Sequence, residues 1–245
     1  MNRPIQLLAQ ADLILLIADL LRPPEKIRHS LGNLKRPNLK MLVSATGLPG
    51  KKQLCDILHD AVKEARQAVP DEWSGCYRLL FDGSIHCPVN EAAFIRRDKG
   101  AIIGDVCGFY RAFGWTTIED SGERPDHLLV ELEFCAMLMV MAARAKTVKH
   151  RKITETALAD FARHHLNDWL DLFCEQLKLT TTYPLFVKSA DLLAHVWPAL
   201  IVWHDWIVDP VPVNTVGIGA DPENPYECGA PGLVSINADS AQQQP

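Results

Sequence analysis

Apolar residues recur along this chain at intervals of three and four, and that spacing predicts helices almost throughout. In "IQLLAQADLILLIADLL", Leu13, Leu16, Ile17 and Leu20 share one face, so the segment reads as an amphipathic helix that Pro23 and Pro24 stop. Asp12 and Asp19 interrupt it, no basic region precedes it and no small-residue cleavage site follows, so it is not read as an insertion signal. "PEKIRHSLGNL" predicts a short second helix from its proline to near Gly32. Residues 38–50, with Gly47, Pro49 and Gly50, predict a loop. "KKQLCDILHDAVKEARQAV" is the next amphipathic helix, with Leu54, Ile57, Leu58 and Ala61 on one face. Asp71 is placed to cap "EWSGCYRLLF". Residues 82–100 are irregular, and "AIIGDVCGFYRAFGW" is helical with Gly114 just past its end.

"ERPDHLLVELEF", residues 123–134, opens a helix predicted to run to about residue 146, with Pro125 in its first turn. "KITETALADFARHHLNDWLDLFCEQLKL" reads as one long helix, and "PLFVKSADLLAHVWPALIVWHDWIV" as the last, with Pro198 as a site of kinking. No segment alternates with a period of two, and no internal repeat is present. The expected fold is all-α, a single helical bundle over residues 1–208. Residues 209–245 are rich in Pro, Gly, Asn and Asp, and two readings stay open for this tail. It is partly disordered, or Val211 to Tyr226 lie across the bundle as an ordered strap.

Composition narrows the function. A length of 245 residues, 48% apolar and 22% charged, suits one globular domain with an appendage. A net charge of −5 gives no basic footprint for nucleic acid. Seven cysteines without a CxxC pair argue against a disulfide framework or structural zinc and point to a reducing cytoplasm. No membrane span is predicted.

The charges in "ERPDHLLVELEF" need an explanation. Asp126 in a first helical turn would be favoured by the helix dipole. Glu131 lies further along, flanked by apolar residues, and an unpaired buried carboxylate costs several kcal/mol. His127 and Glu131 are four apart and can pair on one face, which would hold two helices in register. Alternatively, Glu123 to His127 form a polar rim on an apolar groove. Glu133 reads as structural.

The pattern E-x-x-D-H-x-x-x-E-L-x-F, carried by Glu123, Asp126, His127, Glu131, Leu132 and Phe134, resembles the signature of the TorD/DmsD family, which is related to NarJ. Tyr77, Leu80, Phe81 and Gly83 resemble its aromatic-x-x-L-F-x-G segment, and Pro88, Glu91 and Ala92 its proline loop. Phe109, Tyr110 and Gly114 are similar to a further element, as are Phe161, His165, Leu166 and Trp169. The resemblance runs collinearly from about residue 10 to 205. Asn90 stands where relatives carry an aromatic, and the tail has no counterpart.

The resemblance implies a cytoplasmic, all-helical, non-enzymatic chaperone. Its partner would be the catalytic subunit of a molybdopterin oxidoreductase of the dimethyl sulfoxide reductase family. The chaperone would bind that client's twin-arginine signal peptide and hold the apo form until its cofactor is inserted. Asp126, His127, Glu123, Glu131, Tyr77, Leu80, Phe81 and Pro88 would form the leader-peptide site. The resemblance leaves room for weak GTP binding, with no other cofactor, and for a monomer or a domain-swapped dimer. Two competing classes remain. A helical metal-dependent phosphohydrolase would use His127, His164, His165, His204 and Asp205, although His164 and His165 are neighbours that face about 100° apart. A structural helical subunit would bind no leader at all.

Overall fold

A computed structural model describes residues 2–83, 86–115 and 123–208. Among these residues the chain forms nine α-helices and no strand, so the fold is all-α as the periodicity predicts. The helices are α1 (Arg3–Leu20), α2 (Arg36–Thr46), α3 (Lys51–Gln67), α4 (Pro70–Tyr77), α5 (Lys99–Ala112), α6 (Leu128–Arg144), α7 (Val148–Phe161), α8 (Leu170–Thr180) and α9 (Pro184–His204). Both readings of the 209–245 tail lie outside the described residues.

Helix α6 is the central element, packed between α1 and α7, while α9 closes the opposite side against α3 and α8. Its sequence explains the position: Leu128, Leu132, Phe134, Cys135, Leu138 and Met139 are all sealed from solvent, and a helix apolar nearly all round is stable only when covered nearly all round. Helix α9 is long and apolar enough to cross a membrane by length and composition. Here Leu185, Phe186, Leu192, Leu193, Val196 and Leu200 are spent on the bundle interior. The helix continues through Pro198 and ends at Asp205, whose left-handed φ of 55° lets the Asp205 and Trp206 N–H groups reach back to the last carbonyls. The six described cysteines are free thiols.

Several boundaries differ from those the pattern predicts, each for a tertiary reason. Residues 36–46 form α2 rather than a loop. Leu39 and Val43, four apart, turn into the core, and Gly47 at φ 74° terminates the helix instead of marking an extended loop. The second helix is replaced by two short 3₁₀ turns, Pro24–Lys26 and Leu31–Asn33. Between them the N–H groups of Arg28 and His29 donate to the Asp19 carboxylate, 2.9 and 2.8 Å away, instead of to carbonyls of a helix. Asp71 lies inside the first turn of α4, because Pro70 takes the first helical position and Val69 the cap. The long helix after residue 150 is split. A π-turn over Ala162–Leu166, in which the Asn167 N–H reaches back five residues to the Ala162 carbonyl, separates α7 from α8. A second π-turn, Arg78–Gly83, follows α4.

An ionic cluster ties the first helix to α6. Glu133 pairs with Arg22 and, at 2.9 Å, with Arg28, while Asp19 accepts from His29 Nδ1 at 2.7 Å. His29 also meets Asp12 at 3.2 Å, and the hydrogen bonds to Asp12 and Asp19 outweigh desolvation and push its pKa up to about 9. A histidine whose folded pKa lies above its unfolded value of 6.5 contributes stability that is complete below pH 6.5 and lost as pH rises through 9. Urea unfolding at pH 6 and pH 9.5 is therefore expected to show a loss on the order of 1–2 kcal/mol, discounted for the partial exposure of the pair, and His29→Gln is expected to abolish that difference.

Candidate functional site

The motifs that are scattered along the chain converge around the start of α6. Residues 88–91 run antiparallel to residues 126–128: the Glu91 N–H donates to the Asp126 carbonyl at 2.9 Å and the Leu128 N–H to the Val89 carbonyl at 2.8 Å. The Tyr110 hydroxyl, carried by α5, donates to the Pro125 carbonyl at 2.8 Å. The helix itself begins at Leu128, three residues later than Pro125 predicts. Pro125 and Asp126 form a turn, and His127 is the N-cap, its Nδ1 accepting the Leu129 N–H at 3.1 Å.

Beneath this turn lies a buried polar group. Glu91 is 1% exposed and its carboxylate is 2.9 Å from Nδ1 of His165, which is fully buried in the π-turn. Glu131 is also fully buried and lies in the first turn of α6, where its neighbours are the Glu91 carboxyl and the Trp169 indole and no cation among the described residues pairs with it. Burial, reinforced by the neighbouring Glu91 carboxylate, raises the pKa of the Glu131 carboxyl well above the usual carboxylate range. Glu131 therefore does not pair with His127 as the four-residue spacing suggests. Burial also lowers the His127 pKa, against the opposing pull of Glu123 and Asp126. Around the group, aromatic rings close the interior: Phe134 lies 4.8 Å from Phe161 and 4.7 Å from Tyr110, and Trp169 stacks on Phe94 at 5.3 Å.

The outer side of the turn carries the other charges. Asp126 is fully buried, and its two oxygens accept from Arg124 Nε at 3.0 Å and Nη2 at 2.9 Å. They accept further from the Ala92 N–H at 3.2 Å and Asn90 Nδ2 at 3.3 Å. Glu123 lies 3.6 Å from Lys26 and is within electrostatic reach of Tyr77 and His127. Tyr77 and Leu80 are nearly buried, at 8% and 4%, while Phe81 and Pro88 are half-buried. Phe81 bridges Tyr77, at 5.1 Å, and Phe186, at 5.5 Å. Of the eight sequence-predicted site residues, Glu123, Asp126, His127 and Tyr77 share one neighbourhood. Phe81 adjoins them through Tyr77, Pro88 opens the strand-like segment, and Glu131 faces the interior.

Sequence reasoning missed Arg124 as the partner of Asp126, although it sits inside the quoted stretch, and Arg22, whose buried guanidinium links Glu133 to Asp19. The histidines of the hydrolase alternative are dispersed: His165 is paired with Glu91, and His204 meets Gln10 at 2.9 Å and stacks on Trp206. Burial and the nearby Arg3 lower His204 to about 3. No group of three or more His, Cys, Asp or Glu side chains among the described residues is arranged to hold a metal. A cleft of about 360 Å³, lined by Ile57, Asp60, Lys188, Asp191, Ala194 and His195, lies between α3 and α9 and contains none of the predicted residues.

Comparison with known proteins matches residues 48–175 to the family described as nitrate reductase delta subunit. The chain is 35% identical over 89 residues to the chlorate reductase assembly chaperone protein of Ideonella dechloratans, covering 36% of this chain and 46% of that one. It is 34% identical over 83 residues to the selenate reductase assembly chaperone protein of Thauera selenatis, covering 34% and 43%. It is 30% identical over 81 residues to the chaperone protein TorD of Vibrio parahaemolyticus, covering 33% and 38%. The matched stretches thus span less than half the length of each of these relatives.

A carboxyl whose folded pKa is raised above its unfolded value contributes stability that is complete below the unfolded pKa and is lost as pH rises toward the folded one. Glu131→Gln, a permanently neutral isostere, is therefore expected to flatten the fall in stability between pH 5 and pH 8 and to be at least as stable as the parent at pH 8. Glu91→Ala, which strands buried His165, is expected to cost on the order of 3 kcal/mol by chemical denaturation at pH 7.

Proposed function

The chain belongs to the nitrate reductase delta subunit family, and on that premise we propose that it is a cytoplasmic assembly chaperone for a molybdenum-containing oxidoreductase. The names of two of its relatives support a reductase client, and the TorD/DmsD pattern in "ERPDHLLVELEF" supports a twin-arginine leader as the segment bound. In this reading the protein binds the leader and the apo client, keeps the precursor from export until the cofactor is in place, and then lets go. It catalyses no reaction of its own.

A twin-arginine leader presents two guanidinium groups ahead of an apolar run. Its receptor needs carboxylates beside an apolar surface. The observation that carries the reading is the turn before α6, where Glu123 and Asp126 stand three residues apart, next to His127 and Tyr77. Leader arginines would meet Glu123 and Asp126. The apolar run would lie toward Tyr77, Leu80, Phe81 and Pro88. Glu131 enters as internal support of the turn, because it is sealed from solvent. Tyr77 and Leu80 are already largely covered, so leader contact with them requires local opening of the π-turn at Arg78–Gly83.

Isothermal titration of the full chain with a synthetic leader, an Arg-Arg pair followed by an apolar run of about 12 residues, tests the proposal. A one-to-one complex with Kd near 1 μM, about −8 kcal/mol, is expected, since ordering a free peptide offsets part of the contact energy. Replacing both leader arginines by glutamine is expected to weaken it about tenfold or more. Absence of binding would leave a purely structural subunit as the better account.

A further inference from the structure

Both signature carboxylates on the outer side of the turn are occupied by cations of the chain itself. Arg124 holds Asp126 in a two-pronged fork, Nε to Oδ1 at 3.0 Å and Nη2 to Oδ2 at 2.9 Å. That is the geometry by which a carboxylate recognises any arginine. The pair is lopsided in exposure: the Asp126 side chain is fully buried while that of Arg124 is 46% exposed. Arg124 therefore covers the carboxylate with its own chain reaching into solvent. Lys26, 57% exposed, stands 3.6 Å from Glu123 in a looser version of the same arrangement.

The turn does not depend on the Arg124 side chain for its shape. Its backbone is held by the Tyr110 hydroxyl on the Pro125 carbonyl, by the Glu91 N–H on the Asp126 carbonyl and by the Leu128 N–H on the Val89 carbonyl. The Asp126 carboxylate is oriented from the inside by the Ala92 N–H and Asn90 Nδ2. These donors fix the carboxylate without neutralising it, so a guanidinium is needed on the open side. Which guanidinium supplies it is not fixed by the fold.

We propose that Arg124 is an internal place-holder for a leader arginine: in the free protein it occupies Asp126, and a leader arginine takes the same two oxygens as Arg124 swings into solvent. This rests on the leader-binding reading above and adds a competing residue to it. Exchange of one guanidinium for another keeps the buried carboxylate paired at both ends of the step, so no buried charge is left unpaired. The price is affinity, because the leader binds only the fraction of molecules in which Arg124 has moved away. A resident competitor tethered two residues from its carboxylate thus weakens the complex and favours release.

Fluorescence-anisotropy titrations of the full chain and of Arg124→Gln, each with an Arg-Arg leader and with its Lys-Lys counterpart, test this. Arg124→Gln is expected to bind the Arg-Arg leader about 3- to 10-fold more tightly than the parent, by removal of the competing state. With the Lys-Lys leader the gain is expected to stay under about twofold, because an ammonium cannot reproduce the fork and so binds without drawing Arg124 off Asp126. Equal gains for the two leaders would mean a general charge effect and overturn the proposal. Unchanged or weaker Arg-Arg binding by a variant that is folded at the assay temperature, as shown by circular dichroism, would overturn it as well. If Arg124→Gln does not fold, Arg124→Lys keeps the cation and loses the fork; it is expected to gain about twofold or more for the Arg-Arg leader, and no gain overturns the proposal. Failure of parent and variant alike to bind any leader removes the leader-binding reading itself, an outcome distinct from binding that Arg124 does not affect.

Discussion

The start of α6 is fixed by a short antiparallel pairing that the rest of the site depends on. Two backbone hydrogen bonds join residues 89 and 91 to residues 126 and 128. They set where the helix begins, bring Glu91 over His165, and aim the Asp126 carboxylate at Arg124. Without them the segment after residue 123 would be free to continue as helix from Pro125, with Asp126 and His127 rotated to other faces. The pairing is made possible by proline at 88 and 125, each of which disfavours helix in the residue before it.

Under that clamp the interior tolerates three titratable side chains by two different means. Glu91 and His165 are adjacent partners across 74 residues, joining the loop to the π-turn between α7 and α8. Glu131 stays with a pKa that burial and the neighbouring Glu91 raise well above the usual carboxylate range. The ring cluster of Phe134, Tyr110 and Phe161 excludes water from all of them, which strengthens the pairing and raises the cost of breaking it. The signature thus has two sides: an inner one that secures the bundle and an outer one, Glu123 to His127, in which the buried Asp126 carboxylate is capped by the half-exposed Arg124.

Much of the fold was legible in the apolar spacing, and the misses share a cause. Helices α1, α3, α5, α6 and α9 carry long apolar patterns and were located from them. Helix α2 was hidden because Gly47, Pro49 and Gly50 dominate its neighbourhood, although they only mark its end. The two 3₁₀ turns and the π-turns answer to distant partners, such as the Asp19 carboxylate that captures the N–H groups of Arg28 and His29. At the site, family resemblance singled out a stretch whose residues the fold brings together, but pairings were beyond reach. Spacing suggested His127 with Glu131, whereas Glu131 lies beside Glu91, forty residues away in sequence, and His127 turns to its own backbone. The Arg124–Asp126 fork is local, but a two-residue separation gives no sign of it unless the turn is known.

The central claim is that the outer side of this turn receives the leader. Hydrogen–deuterium exchange of the full chain, with and without saturating Arg-Arg leader peptide, tests it most directly. The account predicts that bound peptide slows exchange over residues 77–82 and 123–129 and leaves the 51–60 and 188–195 faces of α3 and α9 unchanged. Protection confined to the α3–α9 cleft, with the turn before α6 unaffected, would contradict it.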